Sequence, residues 1–193
     1  MKGVARGVLL IVAVGVLLGG VLAYSVTRRG LSTRVAPSVV EERLALAMRR
    51  LATPSAVRTK TNPLPRTPAV LEDALGHFAD HCAACHANDG SGSTTLGKSF
   101  YPPAPDMRAA RTQGLTDGEL FSIIDHGIRL TGMPAWGDGT PAGEQSTWGL
   151  VHFVRRLPSL SAEEIARMEA LNPKSPKVIR EELETQRFLA GQD

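Results

Sequence analysis

Between Arg6 and Arg28 the chain runs 21 residues without a charge, GVLLIVAVGVLLGGVLAYSVT. As a helix this stretch spans roughly 30 Å, about one hydrocarbon core. Lys2 and Arg6 precede it and Arg28 and Arg29 follow. The run is long for a signal-peptide core and two arginines close it, so residues 1–29 read as an uncleaved transmembrane anchor. The alternative is a signal peptide cut after Ala23. Beyond it the pattern becomes amphipathic. In PSVVEERLALAMRRLATP (37–54), Val40, Leu44, Ala47, Met48 and Leu51 fall on one helical face, and Ser38 with Glu41 makes a capping box. This reads as a juxtamembrane spacer helix, with a basic helix lying on anionic lipid as the second reading. Residues 53–68 hold four prolines and no apolar period, which predicts a partly extended linker.

Thr67 and Pro68 look like an N-cap and first helical position. The helix they open should run into Cys82 with Val70, Leu71, Ala74, Leu75 and Phe78 facing inward. Residues 87–114 are rich in Gly, Ser, Thr and Pro and carry no period. A loop that long in a compact domain suggests that it wraps something. A second helix is predicted over 116–127, opened by a Thr116/Glu119 capping box and ended by Gly127, and 128–142 forms another loop. A third covers about 143–157, with Trp148, Val151, Val154 and Leu157 inward. Ser161 and Glu164 open a fourth over 161–171, and 174–190 has the weaker period of a fifth. No strand is convincing, so the expected fold is all-α.

Charge separates the parts. Residues 1–68 carry a net +9, residues 69–158 a net −4 and residues 159–193 a net −2. The overall +3 therefore belongs to the N-terminal third. A phosphate-tracking surface needs clustered Lys and Arg, so the central domain is not expected to bind nucleic acid. Aromatic residues are only 5 %, against 19 glycines and 13 prolines. A core built from such side chains is modest, and a bulky apolar cofactor would help to fill it.

The chemistry centres on DHCAACHANDG (80–90), which holds the only two cysteines, Cys82 and Cys85, followed by His86. A catalytic dithiol belongs with a βαβ pattern that is missing here. Zinc needs four ligands, and a second pair at a defined spacing is absent. A disulfide across three residues closes too small a loop to stabilise much. C-x-x-C-H is the signature of haem attachment: two thiols add to two vinyl groups, and the helical turn between them carries the next imidazole under the iron. LTGMPAWGDG (130–139) offers Met133 for the opposite axial position, in a loop where a core methionine has little reason to be. Met107 in PAPDMRAA is the rival, whereas Met48 and Met168 look like helix-face residues. His77, His81, His126 and His152 read as surface or satisfied histidines.

CAACH, YPPAP, a helix, TGMPAWG and a helix with an aromatic together resemble a class I monohaem c-type cytochrome of bacterial type, over about residues 68–158. The resemblance implies three main helices around one covalent haem c. Cys82 and Cys85 would hold the haem, with His86 as proximal and Met133 as distal ligand. A proline carbonyl would orient the His86 ring, with Pro102, Pro103 and Pro105 as candidates, and Trp136 would lie near a haem propionate. The expected organisation is an anchor (1–29), a juxtamembrane helix and linker (30–67), the haem domain (68–158) and a helical C-terminal extension (159–193). A His/Met iron is six-coordinate, and no paired carboxylates or nucleophile–base set accompany it. The implied function is one-electron transfer without catalysis of its own, by a tethered cytochrome in a respiratory or other periplasmic electron-transport chain. Its partners would be redox proteins. The alternative is a subunit of a larger membrane oxidase or dehydrogenase complex. The expected location is the bacterial inner membrane, single-pass, with the haem domain facing the periplasm.

Overall fold

The computed structural model describes residues 2–30 and 32–190. Met1, Leu31 and residues 191–193, at the margins of the expected anchor, juxtamembrane segment and extension, lie outside the described residues. Among the described residues every regular element is helical, as expected.

Helix α1 (Lys2–Arg29) contains a stretch, Gly3–Arg28, that is long and apolar enough to cross a membrane, and its most apolar part is not buried against the rest of the protein. Helix α2 (Val39–Ala52) starts where expected. The Glu41 N–H donates to the Ser38 hydroxyl at 3.2 Å, and the Ser38 N–H donates to the Glu41 carboxylate at 3.0 Å.

The haem-motif helix begins as α4 (Pro68–His77), capped by the Thr67 hydroxyl, which accepts from the Val70 N–H at 3.3 Å. It widens into a π-helical turn over Phe78–Cys82 and tightens again as α5 (Ala83–His86). Helix α8 (Asp117–His126) carries the anticipated capping box, and α9 (Pro141–Arg156) is capped by Thr140. The main packing is α4 against α9. Phe78 and Phe153 meet there with ring centroids 5.1 Å apart, and Leu150 and Val151 are fully buried beside them. Gly149 faces α4 at this crossing, where a Cβ would lie at ordinary contact distance, 3.7 Å from the Ala74 Cβ and 3.8 Å from Val70. Phe121 of α8 stacks on Trp148 of α9 at 4.2 Å. Arg155 ties the same junction by donating to Asp117 at 2.8 Å and to the Gln113 carbonyl at 2.6 Å.

Three features differ from the sequence expectation. Within the supposed long loop 87–114, two short helices form, α6 (Thr95–Ser99) and α7 (Ala110–Gln113), each too brief to leave a period. Helix α10 (Ala162–Leu171) is packed on the domain instead of extending from it. Met168, expected on an ordinary helix face, is wholly buried beneath α4 and the π turn, and Arg167 pairs with Glu72 of α4. The last helix, α11 (Pro176–Leu189), leaves Leu183, Phe188 and Leu189 exposed.

The third difference is the proline-rich segment. It holds a helical turn, α3 (Ser55–Arg58), which lies against α8 because Gly118 has no side chain; a Cβ there would overlap the Val57 carbonyl. The Asn62 amide donates to the Trp148 carbonyl at 2.9 Å, and the Leu64 carbonyl meets the His152 ring at 2.9 Å. Proline here sets the path of a docked strap instead of a free tether. Arg34, in contrast, sits exposed between α1 and α2. Trypsin added to the detergent-solubilised protein should therefore cut first at Arg28–Arg34, giving a haem-staining fragment that begins at or just before Val35. A first fragment beginning at Thr61 would mean that the strap swings free.

Candidate functional site: the CAACH turn and the Met133 loop

The π turn inserts an extra residue immediately before the motif, a distortion common at functional positions. It leaves Cys82 and Cys85 half-buried and unbridged. Burial, then the neighbouring Cys85 thiol, pushes Cys82 up to about 12, and burial raises Cys85 as well. Both stay protonated at neutral pH, unlike the thiolates of a redox dithiol. Among the described residues no three His, Cys, Asp or Glu side chains cluster as metal ligands.

His86 ends α5, and Ala87 follows with a φ of 61°, reversing the chain. Burial lowers the pKa of His86, opposed by the Pro105 backbone carbonyl, and the imidazole is neutral at pH 7 as a metal ligand must be. Its Nδ1 is shielded from water and has no hydrogen-bond partner, while the Pro105 backbone carbonyl acts on the imidazole. Of the three candidate prolines, Pro105 is thus the one that addresses the ring. The loop is braced around this point. The Gly92 N–H donates to the His86 carbonyl at 2.8 Å, Thr94 Oγ1 to the Cys85 carbonyl at 3.1 Å, and the Met107 N–H to the Gly90 carbonyl at 2.8 Å.

Met133 lies half-buried in a loop hooked onto the end of α8. The Ile128 N–H donates to the Met133 carbonyl at 3.1 Å, the Met133 N–H to Thr131 Oγ1 at 3.1 Å, and the Trp136 N–H to the Ile124 carbonyl at 3.1 Å. Gly127, at φ 67°, is required: a Cβ there would lie 2.6 Å from the Pro134 carbonyl carbon. Two contacts hold this loop, one to the motif segment and one to the loop that follows it. His81, next to Cys82, meets the Trp136 ring edge-on at 5.3 Å, and the Phe100 ring fills the space left by the missing side chain of Gly132. Met107 is instead buried in the core. His77 is matched to Ser146 at 2.7 Å and His152 to Leu64. Pro105 was one of three proline candidates in the sequence, whereas the contributions of Phe100 and His81 were not singled out there and only the adjacency of Phe100 to YPPAP and of His81 to Cys82 hinted at them.

A model of the family described as cytochrome c oxidase, cbb3-type, subunit III matches residues 69–154. Those residues form a c-type cytochrome domain. No curated protein matches the chain. A c-type cytochrome domain implies covalently bound haem c and haem-based electron transfer. The cytochrome domain here fits such a group: protonated thiols three residues apart, a neutral imidazole with a shielded Nδ1, and a second loop closed over the same segment.

Proposed function

We propose that this protein is a membrane-tethered, single-haem electron carrier, with Cys82 and Cys85 as the thioether positions and His86 and Met133 as axial ligands. The observation that carries the reading is the Met133 loop held on one flank by Trp136 against His81, next to Cys82, and on the other by Gly132 against Phe100 of the loop that follows the motif. When bound, haem c supplies a one-electron iron couple. The protein's part is to hold it still. Pro105 faces Nδ1 and orients the imidazole, as outer-shell partners do for metal-bound histidines, leaving Nε2 for iron. The Gly127 turn and the Thr131 hydroxyl fix the backbone on both sides of Met133. A thioether in that position raises the reduction potential and fills the site against exogenous ligands.

The test is spectroscopic. The purified protein should carry one haem per chain that acidified acetone does not extract. The oxidised form should show the weak far-red charge-transfer band of iron–thioether bonding, and Met133→Ala should abolish it. Survival of the band in that variant would remove Met133 from the site.

Haem attachment to C-x-x-C-H takes place outside the bacterial inner membrane, so α1 would place Met1 inside and the cytochrome domain in the periplasm. Flanking charge is nearly balanced across α1, and long domains translocate largely regardless of it. A second reading, subunit of an oxidase complex, is favoured by the matching family, which is that of a subunit of a cbb3-type oxidase. Co-purification with a membrane oxidase would establish it, and purification as a single chain would exclude it.

A further inference from the structure

Helix α2 is turned the opposite way from an ordinary surface helix. Its polar side carries the cytochrome domain: the Tyr101 hydroxyl donates to Glu41 at 2.6 Å, Arg111 pairs with Glu42, and Arg58 donates to the Arg50 carbonyl at 2.8 Å. Leu46 and Arg49 line the cleft facing α8. The apolar stripe points away from the protein. Val40 is 75 % exposed, Leu44 59 %, Met48 61 % and Leu51 86 %. Spaced four, four and three residues apart, these side chains form one continuous helical face. Arg43 and Arg50, both exposed, border it along one edge.

We propose that α2 is an interfacial helix, with its Val40–Leu44–Met48–Leu51 stripe seated in the membrane surface and its polar face bearing the cytochrome domain. The proposal rests on α1 spanning the same membrane. Residues 30–38 can bridge at most about 30 Å, so α2 begins within that distance of the point where α1 leaves the bilayer. Arginines bordering an apolar stripe suit a headgroup layer, where their stems lie along the apolar surface and their guanidinium groups reach anionic phosphates. The net charge of +7 over residues 28–68, on the same side of α1 as α2, favours the same surface. A water-facing stripe would instead leave four large apolar side chains exposed in a row.

The test uses the full haem-loaded chain in phosphatidylglycerol–phosphatidylethanolamine vesicles doped with a phospholipid carrying a diazirine close to its glycerol backbone. After irradiation, tryptic peptides 35–43 and 44–49 should carry lipid adducts, as should the α1 segment. Leu44→Asp with Met48→Asp should cut the α2 adducts severalfold while leaving those on α1 unchanged. Adducts on α1 with none on α2 would overturn the proposal and leave the anchor intact. Absence from both would overturn the anchor as well. With a photocrosslinking benzoylphenylalanine replacing Leu44, chain-to-chain crosslinks in place of lipid adducts would assign the stripe to a second copy, and so would also overturn it.

Discussion

Replacing Cys82 and Cys85 together with alanine is expected to yield a chain that no longer melts as one unit. Two parts of the domain differ in what holds them. Helices α4, α9 and α10 share a dry interior of Phe78, Leu150, Val151, Phe153 and Met168. The loops 87–114 and 128–140 have few apolar side chains of their own and close around the motif through single contacts such as His81–Trp136 and Phe100–Gly132. Without a covalently held haem between them, those contacts have little to offset the conformational entropy of ordering the loops, at about 1–2 kcal/mol per residue of backbone. The double variant should keep much of its far-ultraviolet helical signal and lose the near-ultraviolet signal of Trp136 and Trp148, together with any sharp thermal transition. A cooperative transition with native near-ultraviolet dichroism in the haem-free chain would show that the loops order themselves.

Gly97→Ala should destabilise the haem-loaded protein by about 2 kcal/mol, although alanine is the better helix former by about 1 kcal/mol. Gly97 is buried in α6 with its α-carbon against the motif. A Cβ there would overlap the Cys85 carbonyl oxygen and come within 2.9 Å of the Gly92 carbonyl oxygen. Both obstacles are backbone, and the Cys85 carbonyl is already held by Thr94. Relief therefore requires moving the segment that presents Cys85. Gly76, in α4, has nothing within 4 Å of an added Cβ, so Gly76→Ala should be neutral or stabilising by up to about 1 kcal/mol. Denaturant midpoints of the two variants should move in opposite directions. A Gly97→Ala protein as stable as the parent would mean that the contact between α6 and the motif yields easily.

Much of this architecture could be read from local signals. Thr116 with Glu119 and Ser161 with Glu164 mark helix starts within a residue of where they occur, and the inward faces of α4 and α9 follow from their period. The motif and the Met133 loop were visible because their chemistry is carried by neighbouring residues. What was not visible depends on partners distant in sequence. Nothing near Pro105 distinguishes it from Pro102 or Pro103 until the loop is folded back on His86. The strap over 55–64 looked free because its docking depends on Gly118 and on the Trp148 carbonyl, 86 residues beyond Asn62. The period of α2 showed an apolar stripe but not which side of the helix the domain would occupy.

The crossing of α4 and α9 bears on the order of assembly. Ala74 and Gly149, which meet there, are 75 positions apart. At about 5–20 residues per second of synthesis, α4 and the CAACH turn emerge some 4–15 s before the helix that locks them. During that interval the motif has neither α9 nor α10 against it. Closing so long a loop is slow compared with forming the α4 helix itself. The same crossing that secures the finished domain thus holds off until the chain is nearly complete.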